Sequence, residues 1–367
     1  MKGGLRADIQ AMKRPSIGSA DNNFALLRLA AASLVLVSHG FLLTGRDDPV
    51  LGVGLETLGD LAVTGFFAIS GFLVARSWCR DARLGPYVAR RALRIVPALW
   101  VVVLVSAYGL GPLLTTLPVQ DYLASGATHA YVAGNAVFHT TLYLPGVFDG
   151  NPHGSVNGSL WTLPMEVEAY LAVAAIGLLG AFRRPRFVVG LWALLLLLDA
   201  PLGPGHHPLI ARFVSTTLAE HSVDRLATFF GAALLYVLRD RDLVRGRVLA
   251  PLALLWVAAL GTPLEHLAGA VTIPYAVVFL AYRGPAVVRR LAPRTDVSYG
   301  IYLYGWPVEQ AIRSLAGHGL RPLPMIALAA PATYLLALAS WRFVEAPALR
   351  LRNRTSALRA SPQPART

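Results

Sequence analysis

The chain is 367 residues long, 55% hydrophobic and only 14% charged, with a mean hydropathy of +0.53. Apolar runs recur along nearly its whole length, which excludes an ordinary soluble domain and points to one polytopic membrane unit. The net charge of +13 does not imply nucleic acid, because the arginines are spread among loops rather than gathered on one helix, and the single cysteine, Cys79, excludes an intramolecular disulfide or a cysteine-based metal site.

Taken in order, residues 1–23 are polar, show no recognisable signal peptide and are read as a cytoplasmic segment. Ten membrane spans are predicted, at 24–43, 59–78, 94–114, 158–182, 187–202, 222–238, 247–262, 266–283, 297–316 and 323–345. The fold class is thus an all-α polytopic membrane protein, with one domain over 24–347 and a basic, disordered cytoplasmic tail over 348–367.

Placement of the basic residues tests this topology. With the amino terminus inside, the inner loops collect clusters such as Arg90 with Arg91, Arg183 with Arg184 and Arg186, and Arg289 with Arg290. The outer loops hold only Arg46, Arg212, Arg313 and Arg321, and the long one from Thr115 to Asn157 has no Lys or Arg. Such asymmetry puts both termini in the cytoplasm. It also decides the apolar stretch Tyr131 to Phe148, because an eleventh span there would push Arg183, Arg184 and Arg186 outside. That stretch is read as a re-entrant or interfacial element.

The first span, FALLRLAAASLVLVSHGFLL, carries Arg28 and His39 inside apolar sequence. Eleven helical steps of about 100° return them to nearly the same face, roughly 16 Å apart, and that face should look into protein rather than lipid. In the second span Gly65, Ser70 and Gly71 bring helices close, and Ser70 can bond across them; small-residue packing alone explains this equally well. YVARRALRIVP sets Arg91 and Arg94 three apart on one helix face, suited either to a phosphorylated ligand or to lipid phosphate and positive-inside topology. NGSLWTLPMEVEAYL puts Trp161, Glu166 and Glu168 at an outer helix mouth, with Glu166 at a depth comparable to His39. Trp161 also suits an interfacial belt. DVSYGIYLYGWPVEQAI reads as a helix capped by Asp296 and Ser298, with Tyr299 and Tyr302 on one face, for packing or binding, and Glu309 deeper in.

These stretches, together with GFFAISGFL and the closing WRFVEAP, occur in an order that resembles the acyltransferase-3 family of bacterial membrane O-acyltransferases, over residues 24–347. The resemblance implies ten membrane helices in the bacterial inner membrane, an acyl-CoA donor (usually acetyl-CoA) as co-substrate with no permanently bound cofactor, and transfer to a hydroxyl of a carbohydrate or polysaccharide. Position by position it implies an Arg-and-His first helix at Arg28 and His39, donor-binding arginines at Arg91 and Arg94, and a Trp-Ser-Leu-x-x-Glu pattern at Trp161, Thr162, Leu163 and Glu166. Thr162 replaces the usual serine but keeps the hydroxyl. Gly305 stands where many members carry a second histidine, and no appended hydrolase-like domain is expected.

The chemistry fits independently. Acyl transfer to an alcohol needs a base for the hydroxyl proton, which His39 can supply near neutral pH, and Glu166 is expected to orient it. The alternative from another class is a transporter or flippase of a carbohydrate or lipid-linked substrate, which has no reason to cleave a thioester.

Overall fold

A computed structural model describes residues 16–19, 21–48, 57–199, 216–284, 295–317 and 319–351. All regular structure among the described residues is helical. The expected cytoplasmic segment up to residue 15 and the tail beyond residue 351 lie outside them, as do Arg212, Arg289, Arg290 and Arg294.

The helices are α1 (Phe24–Leu42), α2 (Leu58–Arg80), α3 (Leu84–Leu104), α4 (Val119–Ala124), α5 (Gly126–Ala136), α6 (Leu163–Leu178), α7 (Pro185–Asp199), α8 (Thr216–Val237), α9 (Gly246–Ala259), α10 (Glu265–Arg283), α11 (Ser298–Ala316) and α12 (Pro322–Ser340). Every stretch read as a span falls on a helix. Five helical stretches are long and apolar enough to cross a membrane: α1, α2, α3 extended to Leu114, α10, and α12 extended to Leu351. The apolar parts of α7 and α9 are shorter, so a count of ten is not established. The stretch 131–148 is the end of the 11-residue α5 followed by irregular chain. One helix of that length falls short of a hydrocarbon core, so the eleventh span is correctly left out.

The chain folds as two compact units. The first comprises residues 1–31, 50–82 and 169–294. Its most extensive packing is between α2 and α8. Gly71 makes this possible, since a Cβ there would stand 2.0 Å from the Phe229 carbonyl oxygen. Any larger side chain forces the helices apart. Gly65, expected to do the same, faces open space and contributes no such contact. Ser70 does bond across helices, to the Tyr170 hydroxyl at 3.3 Å, and a cluster of Phe24, Phe72, Tyr236 and Tyr282 rings fills the interior. Arg28, half-buried on α1, belongs to this unit. Arg225 on α8 is buried and pairs with Asp60 of α2 at 3.4 Å and with Asp224.

The second unit comprises residues 32–49, 83–168 and 295–367. Here α11 and α12 pack most closely, with Gly300 against the backbone of Ala337. Beyond α3 the helix loosens into a π-helical stretch, Val105–Leu110, where the Gly111 amide reaches back to the Ser106 carbonyl. The Ala107 carbonyl is thereby left to accept the buried Tyr122 hydroxyl at 2.6 Å, tying α4 to α3. A second π-helical turn, Trp341–Glu345, ends α12.

Candidate functional site

The polar groups of the second unit converge on α11, and proline chemistry begins the construction. Pro307 has no amide proton, so the Leu303 carbonyl one turn earlier loses its helical donor. The fully buried Asn157 side chain fills that role, donating to Leu303 at 2.9 Å while its own oxygen accepts from the Ser159 amide. The outer segment 151–162 is fastened along one face of α11 in the same manner. Tyr302 donates to the Ser159 carbonyl at 2.9 Å and lies 2.6 Å from the Thr162 hydroxyl. Trp306 donates to the Ser155 carbonyl at 2.9 Å, Gln310 to the Ser155 and His153 carbonyls, and Asn151 to Gln310 at 2.8 Å. Residues 302, 306 and 310 are spaced one turn apart, so a single helix face carries the whole seam.

His39 stands against the neighbouring face. Its ring lies edge-on to Trp306 with centroids 4.7 Å apart, and its Nδ1 is 3.9 Å from Glu309 Oε2. Gly40 permits the approach, because a Cβ there would collide with Ile326 and touch Glu309. Glu309 is fully buried, and neither of its oxygens nor His39 Nδ1 has a hydrogen-bond partner. A buried carboxyl without hydrogen bonds is costly, so the fold holds it there against its own stability. On the other side of α1, Ser38 donates to Asp48.

The place expected of Glu166 beside the imidazole is therefore taken by Glu309. Glu166 is half-buried in the first turn of α6, where a helix N-terminus favours a carboxylate. Trp161 is half-buried in the 3₁₀ turn before it. Asp296 and Ser298 do not cap α11: the cap position is Val297 without a side-chain bond, and Ser298 instead donates to Asp296. Asp296 faces Arg94, whose guanidinium lies 3.0 Å from Asp296 and 3.4 Å from Glu345 and stacks over Tyr299. Tyr299 and Tyr302 part company: the first donates to the Ile95 carbonyl of α3, the second to the outer segment. Arg91 is half-buried one turn before Arg94. Sequence reading noted Glu309 without giving it a role, and it passed over Trp306, Asn157 and Glu345. An acidic residue inside an apolar helix was the signal for Glu309, and the Pro307 carbonyl that must find a donor was the signal for Asn157. No three metal-ligating side chains cluster among the described residues.

An imidazole beside a buried carboxyl, roofed by a tethered segment, can accept a proton and hold the resulting charge. Comparison with known proteins agrees with acyl transfer. The family model described as an acyltransferase domain matches residues 21–342. An O-acetyl transferase of Shigella phage Sf6 is 29% identical, over 88% of this chain and 95% of its own length. Nodulation protein 10 of Rhizobium leguminosarum bv. viciae is 31% identical, over 93% of this chain and 96% of its own. No solved structure matches. With a family match running from before α1 into the last turn of α12, the chain belongs to the acyltransferase-3 family and is a membrane acyltransferase.

Proposed function

We propose that the protein is an O-acetyltransferase that moves an acetyl group from acetyl-CoA to a hydroxyl of a carbohydrate, a polysaccharide of the cell surface or one bound for export. The observation that carries this reading is the His39–Glu309 pair, whose facing atoms have no other hydrogen-bond partner. With Nδ1 turned toward the carboxylate, Nε2 is left to take the acceptor's proton. The freed alkoxide oxygen attacks the thioester carbonyl and forms the new C–O bond; the tetrahedral intermediate collapses, the C–S bond breaks, and His39 returns the proton to the CoA thiolate. Glu309 offsets the imidazolium charge between the two proton transfers. A 3.9 Å separation before substrate arrives suits a contact that tightens on binding. The relative named for O-acetyl transfer supports the acetyl group.

Arg91 on the cytoplasmic side is the donor contact, and the pantetheine arm reaches His39 between the helices without an acyl-enzyme. The protein sits in the bacterial inner membrane with both termini in the cytoplasm. Its single cysteine reports on this, because Cys79 is exposed at the inner end of α2. A membrane-impermeant maleimide should leave Cys79 unlabelled in intact spheroplasts and label it in inverted vesicles; the reverse pattern overturns the topology.

The activity itself is tested by thiol release. Purified protein should liberate free CoA from acetyl-CoA when de-O-acetylated surface polysaccharide from its own host is added. A transporter would release none.

A further inference from the structure

The surroundings of Arg94 assign it a different task from that of Arg91. Its two terminal nitrogens are divided between Asp296 Oδ2 and Glu345 Oε2, and its guanidinium lies 5.6 Å above the Tyr299 ring. Each carboxylate is held by its second oxygen: Ser298 donates to Asp296 Oδ1 at 2.5 Å, and Ser340 to Glu345 Oε1 at 3.2 Å. Tyr299 is fixed in turn by its bond to the carbonyl of Ile95, next to Arg94 itself. The serines thus set the carboxylates in place for the arginine.

Charge decides what such a site can receive. One guanidinium faces two carboxylates, so with both ionised the three side chains together are negative, and Glu345 is only 2% exposed. An incoming phosphate would have to displace a carboxylate and would leave it buried without its counter-ion, which is strongly unfavourable. We propose that Arg94 is a positioning residue, an internal counter-ion that pins α3 to α11 and to the end of α12, and that contact with the donor's phosphates falls to Arg91, which the clamp holds one turn away on the same helix face. The assignment to Arg91 rests on the acyl-CoA donor of the preceding reading; the clamp does not.

The test uses the full-length purified protein in detergent, with CoA as the probe. Arg91→Ala should weaken CoA binding by about ten- to a hundredfold, the range for losing a charge-assisted phosphate contact. Glu345→Gln should lower the unfolding temperature and leave CoA affinity unchanged. If Arg94 were the phosphate ligand, the same substitution would remove a competing anion and tighten CoA binding, and that result overturns the proposal. Arg94→Glu should destabilise the protein severely, whereas the exchange Arg94→Glu with Glu345→Arg should recover much of the lost unfolding temperature; no recovery overturns the clamp. Should the unaltered protein bind no CoA, the donor reading and the Arg91 assignment both fall, while the charge exchange still decides the clamp.

Discussion

Replacing His39 with alanine is expected to lower acetyl transfer by about a hundred- to ten-thousandfold, the usual worth of a positioned general base. Yield and CoA binding should survive, since His39 makes no hydrogen bond through Nδ1 for the fold to lose. The informative variant is His39→Gln, which keeps a hydrogen-bonding group against Trp306 but cannot take a proton. It should be nearly as inactive as alanine when thiol release is followed with saturating acceptor. A histidine kept for packing alone would behave in the opposite way, tolerating glutamine and failing through poor expression as alanine. An active, well-expressed His39→Gln protein would remove the base from this mechanism.

Glu309→Gln is expected to separate activity from stability. The amide keeps the shape of the side chain but cannot offset an imidazolium, and the corresponding change in an acid–base triad costs up to roughly ten-thousandfold. A loss of at least a hundredfold in turnover is therefore expected, on the order of a general base's own contribution. Thermal stability should hold or rise, because a fully buried carboxyl without hydrogen bonds is exchanged for a neutral group. Turnover and unfolding temperature measured on the same preparation decide it. Undiminished turnover, with a large loss in Glu166→Gln instead, would return the orienting role to Glu166.

Helix positions were legible because apolar runs and the arginine bias mark where chain can enter lipid, and every stretch so read falls on a helix. His39 was legible for the same reason, as a polar group in a segment that otherwise excludes them. Its partner was not. Counting residues from a helix end gives depth, which placed Glu166 level with His39, but depth says nothing about which helices are neighbours. That is set by contacts such as Gly40 against Ile326, between residues nearly 290 positions apart. Asp296 shows a related limit. Asp two residues before a Ser at a helix start reads as a cap by local chemistry, yet a long-range cation on α3 claims the carboxylate. The shared face of Arg91 and Arg94 was correct as spacing and silent on the carboxylates waiting for only one of them.

The π-helical turn that ends α12 bears on how this chain can change length. In such a turn the Ala346 amide reaches five residues back to Trp341, so the helix accommodates one residue more than α-helical winding needs. Deleting a single residue between Trp341 and Val344 would let the backbone mend into regular α-helix, and the segment would still be long enough for a membrane. The deletion would also turn everything after it by about 100° about the helix axis. Glu345 would swing away from Arg94, leaving a buried arginine with half its counter-charge. Insertions and deletions should accordingly be tolerated in the outer segment between α3 and α4 far sooner than in this turn, where the backbone forgives a shortening that the charge pair does not.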